Sequence, residues 1–230
     1  MTEIAPQRVI LALESSADMA SAAVLAGGGI AVQHTRQARH GHAALITELA
    51  SGALAEAGIT ADGLTHVAVG RGPGSFTGIR VALAAAKGFV IATGAQGLGV
   101  SCLAAAAHAA RRAASGDHPV ILATADTRRG SFFVQPFDGN AAAIADIGEW
   151  SPDGPPAVPQ SWRGAVVTGP GAAMLAASDD SAGLTPLADA PLLDAMQVAR
   201  LAMDQLASDL PGDPLLPLYV APAFLGPSKP

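Results

Sequence analysis

The chain has 230 residues, a net charge of −6 and one cysteine, Cys102. Acidity of this degree excludes a protein that grips a polyanion such as tRNA by itself through phosphate neutralisation, and a lone thiol excludes an internal disulfide or a multi-thiolate metal site and points to a reducing compartment. Charged residues are only 14% of the chain against a usual ~25%, so part of a weakly polar exterior is expected to be an interface. The first residues carry no basic segment and the apolar run from Val9 to Leu13 stops at Glu14, so neither a signal peptide nor a membrane span is expected, and the cytoplasm is the expected compartment.

Residues 8–14 read as a buried strand, Ser15 to Asp18 as a turn, and Ser21 to Leu25 as a second strand. Gly27-Gly28-Gly29 turns a hairpin into a third strand from Ile30 to Arg36. His42 to Ala57 fits a helix, with Leu45, Ile46, Leu49, Ala53 and Leu54 at helical spacing and Gly58 as its stop. Thr65 to Val69 is the next strand, and a glycine loop leads from it into a helix over about 77–93. In that helix only Arg80 and Lys87 are charged, and seven residues apart they share a face. A short strand, Gln96 to Val100, and a helix over 101–114 complete the first unit.

The second unit begins again with strands near 120–125, 131–137 and 143–150. After a Pro-rich connector over 151–159, Ala165 to Thr168 reads as a strand entering Gly169-Pro170-Gly171 and an alanine-rich helix. His66-Val67-Ala68-Val69 likewise runs toward a Gly-Pro-Gly turn, so the halves echo each other as a duplicated α/β unit. A last helix over 189–207 is expected to start after Pro191, and from Leu210 onward six prolines predict an extended tail on the surface or on a partner.

The stretch Gly70-Arg71-Gly72-Pro73-Gly74-Ser75-Phe76-Thr77-Gly78 carries the most information. A strand, a glycine-rich turn and a helix start together make a candidate anion or nucleotide site, with Gly72, Gly74, Ser75, Thr77, Arg80 and, from the second half, Asp126 as contacts. Ser75 and Thr77 are natural caps. Arg80 in the first helical turn opposes the helix dipole, so an anionic contact is expected beside it. No Gly-Lys-Ser/Thr follows, which excludes a Walker loop, and a purely structural turn docking helix onto sheet is the competing reading.

This loop with Ile79-Arg80 resembles the signature of the TsaB (YeaZ) family, proteins required for threonylcarbamoyladenosine in tRNA. Ile10-Leu11-Ala12-Leu13-Glu14-Ser15-Ser16, Gly99-Val100-Ser101, Ala125-Asp126-Thr127-Arg128-Arg129-Gly130 and Pro217-Leu218-Tyr219-Val220 are similar to further family segments, so the resemblance covers about residues 8–222. It implies an α/β fold of the actin-like, Hsp70-like, sugar-kinase-like (ASKHA) type, with two related subdomains of mixed sheet and flanking helices. We expect an N-terminal subdomain over 1–104 and a smaller C-terminal one over 105–230. It also implies a noncatalytic scaffold that partners TsaD, the transferase, together with the ATPase TsaE, and meets tRNA only through the complex. ATP and metal would be held by the partner subunits, and no membrane is involved. The implied contact surface for TsaD, or for a second copy, is the first two helices: His42, Leu45, Ile46, Leu49, Arg80, Ala82, Leu83, Ala86, Lys87 and Val90. Glu14 where the family has Asp, Glu48 for Pro, Ser131 for Glu, Phe133 for Tyr and Ala221 for Arg depart from its pattern and weaken a conventional ligand site.

Catalytic chemistry has little support in the residues. The paralogous transferase holds metal with two histidines four apart on a helix, but the fourth residue after His42 is Ile46, and His40 and His42 at a spacing of two diverge. Glu14 and Asp126 could pair around magnesium and phosphate as sugar-kinase carboxylates do, or each could cap a turn. Cys102 lacks an adjacent base, His108 lying six residues on around the helix, and is expected to be a small buried residue. The expectation is no catalytic residue, metal or cofactor in this chain; a stand-alone ASKHA kinase or nucleotide hydrolase is the alternative, and a glycoprotease-like peptidase a weaker one.

Overall fold

The structure, a computed structural model, describes residues 8–37, 42–114, 118–153, 158–188, 193–208, 210 and 212–220. Strand β1 (Val9–Glu14) alternates without a polar side: Leu11 and Leu13 face one hydrophobic cluster, Ile10 and Ala12 another, and all four are fully buried. A strand buried on both faces must lie between two layers. β2 (Met19–Ala26) and β3 (Ile30–Gln37) pair antiparallel beside it, while β4 (His66–Gly70) and β5 (Gln96–Val100) add parallel strands, giving the order β3-β2-β1-β4-β5. Helices α1 (His42–Ala57) and α2 (Phe76–Thr93) cover one face of this sheet.

The second sheet repeats the plan. β6 (Val120–Asp126), β7 (Phe132–Asp138) and β8 (Gly148–Trp150) form the antiparallel meander, and β9 (Val166–Thr168) and β10 (Thr185–Pro186) the parallel side, in the order β10-β9-β6-β7-β8. The predicted duplication is therefore present in topology. The strand expected over 143–150 is shorter: only its last three residues form β8, and Ala143 makes an isolated bridge to Phe137. Asp138 Oδ1 accepts the N–H groups of Asn140 and Ala142, and this side-chain turn competes with a continuous ladder.

Helix α3 (Cys102–Ala113) joins the halves, packing Leu103, Ala106, Ala107 and Ala110 against the second sheet and Ala105 toward the first. The short α4 (Ala172–Ala177) covers the other side of the second sheet. α5 (Ala195–Ala207) is the surprise. Its Ala195, Val198, Ala199 and Ala202 bury against Ile10, Ala12 and Ala68, so the chain returns to the first sheet. Position 104/105 lies inside α3, and amphipathic α5 finds its apolar partner surface on the face of β1 and β4. Asp194 caps α5 by accepting from Gln197 N at 3.0 Å; the expected start after Pro191 falls partly outside the described residues. His108 of α3 meets Asp204 of α5 at 2.8 Å, a partnered core histidine.

Candidate functional site

The glycine loop lies where β4 hands over to α2, and its close packing explains its composition. A Cβ on Gly70 would overlap the Glu14 carboxylate, and one on Gly78 the Ser15 carbonyl; at Gly74 it would lie 2.6 Å from the Ser16 oxygen. Gly72 adds a φ of +103° that side chains rarely adopt. Four of the loop's own donors are spent inside the chain. Arg71 N–H donates to Val100 O, Gly72 N–H to Cys102 Sγ, Ser75 N–H to Ser16 O and Gly78 N–H to the Ser75 hydroxyl. Ser75 is the cap, as expected, whereas Thr77 lies in the first turn with its side chain exposed. A phosphate cradle needs outward N–H groups. These four are spent on Val100, Cys102, Ser16 and the Ser75 hydroxyl within the chain, which makes the loop a stiff joint.

Glu14 sits fully buried behind this joint, accepting from Ser16 N–H at 2.5 Å and from the Cys102 thiol at 3.4 Å. Burial pushes its carboxyl above the usual range, against the pull of the Ser16 bonds. Burial, aided by the Glu14 charge, likewise pushes the Cys102 thiol well up, so it is a poor nucleophile at neutral pH. Asp126 is not beside Glu14 in role: its Oδ1 accepts from Arg128 N–H at 2.7 Å. Each carboxylate caps a turn. Among the described residues no group of three His, Cys, Asp or Glu side chains gathers as a metal site. His40 and the His42 side chain lie outside the described residues.

The candidate contacts divide between two concavities. Gly74 and Asp126 line a cleft of about 420 Å³ between the sheets, with Ser16, Asp18, Thr168 and Gly169. Arg128 spans its mouth, reaching Asp18 at 3.0 Å from a backbone with φ +63°. The second Gly-Pro-Gly turn and the Ala125–Gly130 segment were the sequence signals for this wall; nothing in the sequence signalled that Arg128 meets Asp18. Thr77 and Arg80 line instead a groove of about 450 Å³ between α1 and α2, floored by Ile46, Val81 and Ala85. Gly72 is buried in the joint and faces neither.

Around this groove the expected contact surface needs correcting. Ile46, Leu49, Ala82, Leu83 and Ala86 are 5% exposed or less and pack into the core of this chain, so they offer almost no free surface, Ile46 only at the floor of the groove. Leu45 and Val90 are half-buried, and Arg80 and Lys87 are exposed as expected. The open stripe on α2 runs through Thr77, Val81, Ala84, Gly88 and Ile91, at 4-3-4-3 spacing, with Phe76 at one end. α2 has the length and hydropathy of a membrane span, yet only 28% of it is buried. That leaves a large apolar face uncovered. Among the described residues Arg80 meets no anion either: its Nε donates to the Tyr219 hydroxyl at 2.8 Å and its guanidinium lies 3.8 Å over the Phe76 ring.

Two repeated mixed sheets with flanking helices and a cleft between them define an ASKHA-type α/β protein. The chain belongs to the TsaD family, described as tRNA N6-adenosine threonylcarbamoyltransferase, whose family model matches residues 22–148. Within it the TsaB (YeaZ) assignment drawn from the glycine loop holds. The chain is 29% identical over 124 residues to the tRNA threonylcarbamoyladenosine biosynthesis protein TsaB of Escherichia coli (strain K12), covering 54% of this chain and 52% of that protein. It is 35% identical over 130 residues to a tRNA N6-adenosine threonylcarbamoyltransferase of Streptococcus suis (strain 05ZYH33), covering 50% of this chain and 39% of that one. It thus spans about half or less of the curated relatives it matches. The solved YeaZ from Pseudomonas aeruginosa superposes with a TM-score of 0.76 at 25% identity, over 93% of this chain and 100% of that chain.

Proposed function

We propose that this chain is a noncatalytic subunit in the biosynthesis of threonylcarbamoyladenosine in tRNA. It works in the cytoplasm and docks a TsaD-type transferase through the open face of α1 and α2. TsaE joins that assembly, tRNA is met only through it, and ATP and metal are held by the partners. A second copy occupies the same face when the transferase is absent. The observation that carries this reading is the uncovered apolar stripe ending at Ile91, 85% exposed, on a helix otherwise fixed by a rigid joint. Three features support the absence of chemistry in this chain: the inward loop donors, the two carboxylates spent on turns, and the buried, protonated Cys102.

Reconstitution tests it. Purified transferase and TsaE should modify tRNA efficiently only when this chain is added, and the complex mass should rise by one copy of it. The isolated chain should hydrolyse no ATP. ATP turnover by the isolated chain that Asp126→Ala abolishes would overturn the reading in favour of a nucleotide enzyme using the 420 Å³ cleft.

A further inference from the structure

Residues 212–219 return across the molecule as a strap. Gly99 N–H donates to Asp213 O at 2.7 Å, making an isolated antiparallel bridge at the edge of β5, and Asp213 Oδ2 pairs with Arg71 at 3.0 Å. Leu215 packs into the core beside Gly97, and Leu218 N–H donates to Arg71 O at 2.8 Å. The strap is thereby fixed to Arg71 of the glycine joint, and it delivers Tyr219 to the start of α2.

There Tyr219 stacks on Phe76, with ring centroids 5.4 Å apart, and its hydroxyl accepts from Arg80 Nε. The Phe76 ring covers one side of the guanidinium. With Nε engaged and one face covered, Arg80 has lost most of its rotamer freedom, yet among the described residues its terminal nitrogens have no carboxylate partner. Among the described residues it is the one charged side chain lining the α1–α2 groove, whose other walls are Ala, Ile, Val, Phe and Thr. The small side chains of Ala43, Ala84 and Ala85 let a third helix approach both α1 and α2 closely. A helix seated there would desolvate Arg80, and an uncompensated guanidinium in an apolar groove is costly, so the occupant must bring an anion.

Resting on the docking reading above, we propose that Arg80 recognises a carboxylate on the helix that the transferase lays into this groove, and that Tyr219 is the positioning residue that holds Arg80 for it. The terminal guanidinium edge gives two parallel N–H donors that fit one Asp or Glu side chain bidentately. The partner segment is therefore a helix of small apolar residues carrying one acid, and the strap makes a distant part of the chain part of the specificity of the groove.

The test is titration calorimetry with the purified TsaD-type transferase of the same cell, using wild type, Ile91→Asp, Arg80→Lys and Tyr219→Phe, each with its thermal unfolding curve. Arg80→Lys keeps the charge but not the fork and is expected to weaken binding roughly ten- to hundredfold. Tyr219→Phe keeps the ring stack but not the acceptor and should weaken binding roughly three- to tenfold with an unchanged midpoint of unfolding. Removing the recognised acid from the transferase should make Arg80→Lys neutral, a coupling that a merely structural Arg80 would not produce. If Ile91→Asp abolishes binding while Arg80→Lys and Tyr219→Phe bind as wild type, the carboxylate proposal is overturned and the docking face stands. If Ile91→Asp also binds as wild type, the docking reading fails and this inference with it. Should Arg80→Lys prove unstable, Tyr219→Phe together with the partner's acid variant decides the matter alone.

Discussion

Replacing Ile91 and Ala86 with aspartate, one at a time, separates what α2 gives to its own fold from what it gives to a partner. The two positions are five residues apart on one helix, but Ile91 is 85% exposed and Ala86 is fully buried against the first sheet. In the free chain Ile91→Asp removes almost no packing and should shift stability by no more than about 0.5 kcal/mol. In the docked state it forfeits the burial of an isoleucine, worth about 1.5–3 kcal/mol, which weakens binding roughly ten- to two-hundredfold before any cost of burying the new charge. Ala86→Asp forces a carboxylate into an apolar layer at a cost of several kcal/mol, a large share of a domain's usual ~5–15, and should lower the unfolding midpoint by roughly 10 °C or prevent folding. Circular dichroism melts and calorimetric titration with the transferase give both numbers. The reasoning is refuted if Ile91→Asp binds within twofold of wild type, or if Ala86→Asp stays as stable as wild type and loses only binding.

Glu14→Gln should make the fold less sensitive to pH. The folded carboxyl is raised above its ordinary 4.5, so its favourable, protonated contribution is complete below pH 4.5 and is lost as pH climbs through the folded value; the amide should melt higher than wild type at neutral pH and equal to it near pH 4. A wild-type melting curve that rises with the amide's across this range would contradict that sign. Gly70→Ala drives a methyl into the Glu14 carboxylate and should cost about 1–3 kcal/mol, measured by urea unfolding. Adding Glu14→Asp, one methylene shorter, should restore part of that loss, and no recovery would show that the overlap is not what makes Gly70 necessary.

The glycine joint was legible because its spacing of glycines between a strand and a capped helix is a local pattern, although what those glycines pass is distant in the chain. Gly70, Gly74 and Gly78 are spaced to pass the 14–16 segment, and Ser75 caps α2 wherever that helix points. The paired sheets were legible too, since alternation along strands and the second Gly-Pro-Gly turn repeat a pattern that survives in sequence. The direction in which α1 and α2 face was not. In α2 the remaining positions are Ala, Gly, Val, Leu, Ile, Phe and Thr beside only two charges, Arg80 and Lys87, so Ala82 and Ala86 read as surface and proved to be core, while Ala84 and Ile91 on the same helix are open. The loop donors were misread for a related reason: whether an N–H points out or in depends on what lies behind it, here Ser16 and Cys102.

Sequence by itself determined the family, the duplicated α/β plan, the position of the glycine loop and the scarcity of charge. These follow from spacing, turn chemistry and composition, all of which act over a few residues. Tertiary structure alone decided which side of α2 is free, that α5 returns to the first sheet, that Glu14 is buried against Gly70, and that Tyr219 meets Arg80, 139 residues away. Each of those joins residues far apart in the chain through burial, and burial is fixed by which apolar surfaces find one another when the whole chain packs.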